Sequence, residues 1–133
     1  MIICNVDASG GVMTMSYSQH VGVEEMRRCL ERVRELMNHL KPGFLVLTDL
    51  TNMESMDPSC APVLGAIMDL SSERGMATVV RVIPDPYKEI GFNLLSHFHL
   101  HPQIKIHTHE NLAQAIKSLL AEAAEAVPIQ GNS

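Results

Sequence analysis

The residues between Lys41-Pro42-Gly43 and Thr51-Asn52 restrict the fold more than any other part of the chain. Phe44-Leu45-Val46-Leu47 is a compact apolar run that stops at Asp49, and a run of this length bounded by turn residues marks a strand buried on both faces of a parallel sheet. A polar stretch follows and is expected to be a loop. Asp57-Pro58-Ser59-Cys60 then opens an amphipathic helix in which Val63, Leu64, Ile67, Met68 and Leu70 recur at three and four residues, with Gly75 placed to end it. Proline has no N–H and fits only the first turn of a helix, so Pro62 fixes the start and makes Ser59 the predicted N-cap. At that position free N–H groups and the helix dipole favour negative charge, and a hydroxyl there is placed to receive a phosphate.

The remaining segments arrange themselves around this strand, loop and helix. Ile2 to Val6 and Val12 to Tyr17, joined by Ala8-Ser9-Gly10-Gly11, predict a hairpin at the antiparallel edge of the sheet, with Val12, Thr14 and Ser16 alternating against Met13, Met15 and Tyr17. Val23, Met26, Cys29, Val33, Met37 and Leu40 mark one face of a helix that Lys41-Pro42-Gly43 terminates. Met76 to Ile83 reads as a second buried strand, and Asp85-Pro86 supplies a cap and a first-turn proline for a short helix through Ile90, Leu94 and Leu95. Ile104 to His107 is the predicted last strand, and Thr108 the predicted cap of a final helix carrying Leu112, Ile116, Leu119 and Leu120. The expected fold is α/β: one domain over residues 1–127, a hairpin followed by alternating helices and strands in a mixed sheet, with a flexible tail at 128–133.

Val46-Leu47-x-Asp49-Leu50, a loop, and Met56-Asp57-Pro58-Ser59 before a Val-Leu-Gly helix resemble the signature of STAS domains, the sulfate-transporter and anti-sigma-factor-antagonist family. The resemblance implies that Asp49 matches the family's strand-ending aspartate, Asp57 the motif aspartate and Ser59 the serine that a kinase phosphorylates. Pro58 stands where the family has a first hydroxyl residue and Cys60 where it has glycine. The function implied is a phosphorylation-controlled interaction switch. Its partners would be an anti-sigma factor with serine-kinase character and a phosphatase, met through Asp49, Asp57, Ser59, Cys60 and the following helix, and a homodimer is allowed for. The competing reading is a STAS-like domain that binds a small ligand or lipid without phosphorylation, suggested by Pro58, Cys60 and the nine methionines.

Composition narrows the classes further. A net charge of −5 argues against nucleic acid or an anionic membrane surface as the main partner. No apolar run approaches a membrane span of about 20 residues, and the first residues lack the pattern of a secretory leader, so a cytoplasmic protein is expected. Cys4, Cys29 and Cys60 form no Cys-x-x-Cys pair, so neither a disulfide framework nor a thiolate zinc site is expected, although Cys60 at a helix start is a candidate low-pKa thiol. His97, His99, His101, His107 and His109 supply imidazoles for a metal only if they converge, and Pro102 interrupts them; no metal or cofactor is expected. Asp49 ends a strand where ligand groups of α/β sheets gather, or else fixes the next turn by a hydrogen bond. Without a Gly-x-Ser-x-Gly elbow or a nucleotide-binding fingerprint, the chain does not read as an enzyme, and the resemblance implies instead the substrate of a kinase.

Overall fold

The computed structural model describes residues 1–126, so the predicted tail at 128–133 lies outside the described residues. Five strands form one sheet in the order β1-β2-β3-β4-β5, which is also their order in the chain. β1 (Ile2–Asp7) pairs antiparallel with β2 (Val12–Val21), as the hairpin reading required, and β3 (Leu45–Met56), β4 (Thr78–Val82) and β5 (Lys105–His109) follow in parallel. The helices are α1 (Val23–Leu36), α2 (Ala61–Glu73), α3 (Pro86–His99) and α4 (Leu112–Ala126). No helix among the described residues is long and apolar enough to cross a membrane.

Each of α1, α2 and α3 crosses between neighbouring parallel strands, and right-handed crossovers taken in chain order deliver all three to one face. α1 packs on α2 and α2 on α3, while α4 lies alone against β3, β4 and β5 on the opposite face. The period of two along the strands sorts the core accordingly. Met13, Met15 and Tyr17 of β2, Val46 and Leu50 of β3 and Val79 of β4 meet Met26, Cys29, Val33, Leu64, Ile67 and Phe92 in the larger core. Leu47, Val80 and Val82 meet Ala115, with Leu119 packed beside them, in the smaller one. β4 is buried at every position, the expected state of a central parallel strand.

Three element readings need correction. β3 does not stop at Asp49 but runs twelve residues to Met56. β4 pairs with it only as far as Asp49↔Val82; beyond that point β3 continues as a two-stranded ribbon with β2. Only Leu50 and Met53 are buried in this extension, and two register shifts, each leaving one extra residue on β3 opposite β2, break its alternation beside Gln19 at φ 62°, so strand residues present a loop-like polar pattern. Second, Thr108 lies in β5, and Asn111 caps α4 by accepting the N–H of Gln114 at 2.9 Å. Third, the apolar residues assigned inward on α3 and α4 are partly outward: Ile90, Leu94, Ile116 and Leu120 are exposed, while Phe92 and Ala115 take the buried positions. α3 thus shows solvent an apolar stripe of Tyr87, Ile90, Leu94 and Phe98.

Candidate functional site

The loop between β3 and α2 is built on the carboxylate of Asp57. Asp57 is extended at φ −61°, ψ 133°, and its Oδ1 accepts the N–H of Ser59 at 2.9 Å and the Ser59 hydroxyl at 2.6 Å. Pro58, which has no N–H to satisfy, opens a single 3₁₀ turn (Pro58–Cys60), closed by the Cys60 N–H donating to the Asp57 carbonyl at 2.9 Å and leading directly into α2. The N-cap is therefore Asp57 and not Ser59. The Ser59 hydroxyl is exposed and has a carboxylate as its partner. Those two hydrogen bonds from Ser59, the hydroxyl's first, hold the Asp57 carboxyl below the ordinary range.

The end of β2 braces the loop from below. Val21 carbonyl oxygen accepts the N–H of Asp57 at 2.9 Å and the Cys60 thiol at 3.7 Å. His20 pairs with Ser55 across the ribbon at 2.7 Å. Cys60 is fully buried, and burial first, then the Asp57 charge, raises its thiol pKa, so the expectation of a low-pKa thiol at a helix start is overturned.

Asp49 takes the second of the two roles that its place at a strand end allows. Its carboxylate accepts the N–H of Thr51 at 2.9 Å together with the Thr51 hydroxyl, the local hydrogen-bonding role. Seven strand positions separate it from Met56, roughly 20 Å of extended chain, so the structure does not bring Asp49 to the Ser59 loop. The histidines disperse as well. His99 meets Asp69 at 2.9 Å and His107 meets Glu122 at 2.8 Å, on opposite faces of the sheet, and no three metal-ligating side chains group together among the described residues.

Beside the loop, between α2 and α3, runs an apolar groove of about 370 Å³ lined by Met53, Met56, Pro58, Ala61, Leu94 and Leu95, with Asp57 at its rim. Lys88, on the far wall, donates its ammonium to the Met53 carbonyl and ties α3 to the end of β3. Neither this groove nor the His20–Ser55 pair was legible in the sequence, because both depend on the β2–β3 ribbon whose polar residues look like loop.

No protein-family model matches the chain, and no curated protein matches it by sequence. Solved structures do match. The unphosphorylated anti-sigma factor antagonist SpoIIAA superposes with a TM-score of 0.63 at 8% identity, covering 91% of this chain and 98% of that one. The phosphorylated form of SpoIIAA, a Bacillus cell fate determinant, gives 0.59 at 10% identity over 90% and 99%. An uncharacterized DUF3478 protein with a SpoIIAA-like fold from Shewanella loihica gives 0.65 at 12% identity over 90% and 92%. SiaC of Pseudomonas aeruginosa, in complex with the diguanylate cyclase SiaD that it activates, gives 0.56 at 11% identity over 82% and 93%. The chain has a STAS-like fold, that of SpoIIAA, in a single domain.

Proposed function

We propose that this STAS-like domain is a protein-interaction switch whose state is set by phosphorylation of Ser59. The observation that carries the reading is the exposed Ser59 hydroxyl, held at 2.6 Å by Asp57 on the rim of an apolar groove. A phosphoryl group added there brings about −1.5 to −2 charges beside a carboxylate and removes the hydroxyl hydrogen that Asp57 now accepts. The turn and the surface next to the groove change together, while the 3₁₀ start keeps backbone N–H groups near the new charge. A partner shaped to the neutral loop then meets repulsion and desolvation.

Catalysis is not part of this reading. The base in contact with Ser59 is a carboxylate with a lowered pKa, which is a poor acceptor for a serine proton. The neighbours in fold support a regulatory role: SpoIIAA is an anti-sigma factor antagonist found with and without phosphate, and SiaC activates a partner enzyme. By the same token the partner is a protein with serine-kinase activity, opposed by a phosphatase, and the docking surface is the groove with the adjoining Tyr87 and Leu94 of α3. The groove is an open surface strip beside an exposed serine, which suits docking better than the enclosure of a small ligand or lipid.

The test is affinity capture from the source cells with the wild-type chain, followed by titration of the captured kinase against wild type, Ser59→Ala and Ser59→Asp, and mass spectrometry of the cellular protein. Expected are phosphate on Ser59 and a loss of at least roughly thirtyfold in affinity for Ser59→Asp, with Ser59→Ala near wild type. Equal affinities and an unmodified Ser59 would refute the switch.

A further inference from the structure

Arg81 is the fourth of the five residues of β4, the most buried strand, and is only 2% exposed. Its neighbours Val80 and Val82 face α4, so Arg81 projects to the other side, into the layer between the sheet and α2 and α3. There Nη2 donates to the Ser96 hydroxyl, which itself donates to the Phe92 carbonyl at 2.7 Å, and the guanidinium carbon lies 5.7 Å from the centre of the Phe92 ring. Nη1 is buried with no hydrogen-bond partner. No ion pair joins Arg81 to an acid among the described residues; Glu89 is felt only at a distance, after Tyr17.

A buried cation without a counter-charge is among the least favourable arrangements in a core. Losing the proton does not resolve it, because burial lowers the pKa of Arg81 to about 10 and leaves the group charged at neutral pH. A cavity of about 40 Å³ borders the side chain. Its polar lining is Tyr17, Thr48, Ser71 and Arg81, the remainder is apolar, and no acidic residue lines it. One water needs roughly 10–15 Å³ of such space, so the cavity admits a halide or a formate-sized ion and nothing much larger. A water would satisfy the N–H groups of Nη1 but not the charge; an anion satisfies both.

We propose that the cavity beside Arg81 is an internal binding site for a small monovalent anion, a halide or formate-sized carboxylate, held against guanidinium Nη1. Leu64 and Phe92 line both this cavity and the groove next to Ser59, so they form the partition an entering ion crosses. The site is independent of whether Ser59 is a switch.

The experiment uses the whole chain and three probes, sodium chloride, bromide and formate, against sodium sulfate at matched ionic strength. Thermal melting of the wild type is expected to rise saturably, by roughly 2–4 °C, with the monovalent anions, and Arg81→Met is expected to lose that dependence while keeping any general salt effect common to all solutions. Crystals of the wild type grown in bromide are expected to show an anomalous peak at hydrogen-bonding distance from Nη1. The same halide response in Arg81→Met overturns the proposal, as does a bromide crystal with only water beside Nη1; the diffraction result decides the matter even if Arg81→Met does not fold.

Discussion

Asp57 Oδ1 receives both hydrogens that Ser59 offers, so the carboxylate carries the cap while the hydroxyl carries the accessible chemistry. This division predicts unequal effects on stability. Asp57→Ala leaves the Ser59 N–H unpaired and is expected to lower the melting temperature by several degrees, whereas Ser59→Ala removes one exposed hydrogen bond and is expected to change it by about a degree at most, both read by calorimetry. The pH dependence has a definite sign. The folded pKa of Asp57 is depressed below its ordinary 3.8, so its contribution is fully present above that value and is lost as pH falls through the lower folded value. Acid melts of Asp57→Asn are expected to lack this part of the loss below about pH 4, while the parts due to Asp7 and Glu122, also depressed, remain. The residue scale was half legible in the sequence. Asp85-Pro86 was readable as cap and first-turn proline, and Asp85 does accept the Tyr87 N–H at 3.0 Å. Asp57-Pro58 is the same pair, but Pro62 drew the helix start forward and put Ser59 in the cap position. Arg81 gave no signal at all, since one arginine in a β-branched run looks like an exposed strand position until the sheet order places it in the middle.

Among the elements, α2 and α3 meet through a contact that only glycine permits. A methyl on Gly65 would lie 2.6 Å from Nε2 of His99, whose Nδ1 is held by Asp69 at 2.9 Å. Gly65→Ala is therefore expected to push His99 off Asp69 and destabilise the domain by about 1–3 kcal/mol. The double variant with His99→Ala is expected to recover much of that loss, a coupling that denaturant titration of the four proteins measures. The stripe on α3 belongs to the same scale. Leu94 is 60% exposed and lines the groove, so Leu94→Glu is expected to leave the melting temperature near wild type and to weaken partner capture at least tenfold. Sedimentation of the same variant reads out self-association, the other use such a stripe can have. Helix existence and order were visible from periodicity, yet the inward faces of α3 and α4 were not. Ala115 fits close against Val80 and Val82, and a small residue at the contact leaves no apolar signal to locate it. β3 was misjudged for the opposite reason: its second half packs on one side only, and its own extra residues at the two register shifts against β2 break the period.

At the scale of the molecule, the sheet order repeats the chain order, and that was legible once strand and helix were seen to alternate after Phe44. The arrangement puts three helices on one face and one on the other, which makes the α4 side the thinner core. It also decides how the chain can find this structure. Every strand pairs with the strand before it, so each step of assembly closes a loop no longer than a single turn or crossover helix, and no strand waits for a distant one to be made. Sheet growth can keep pace with synthesis, each emerging strand docking on the edge left by its predecessor, while β1 stays the opposite edge from first to last.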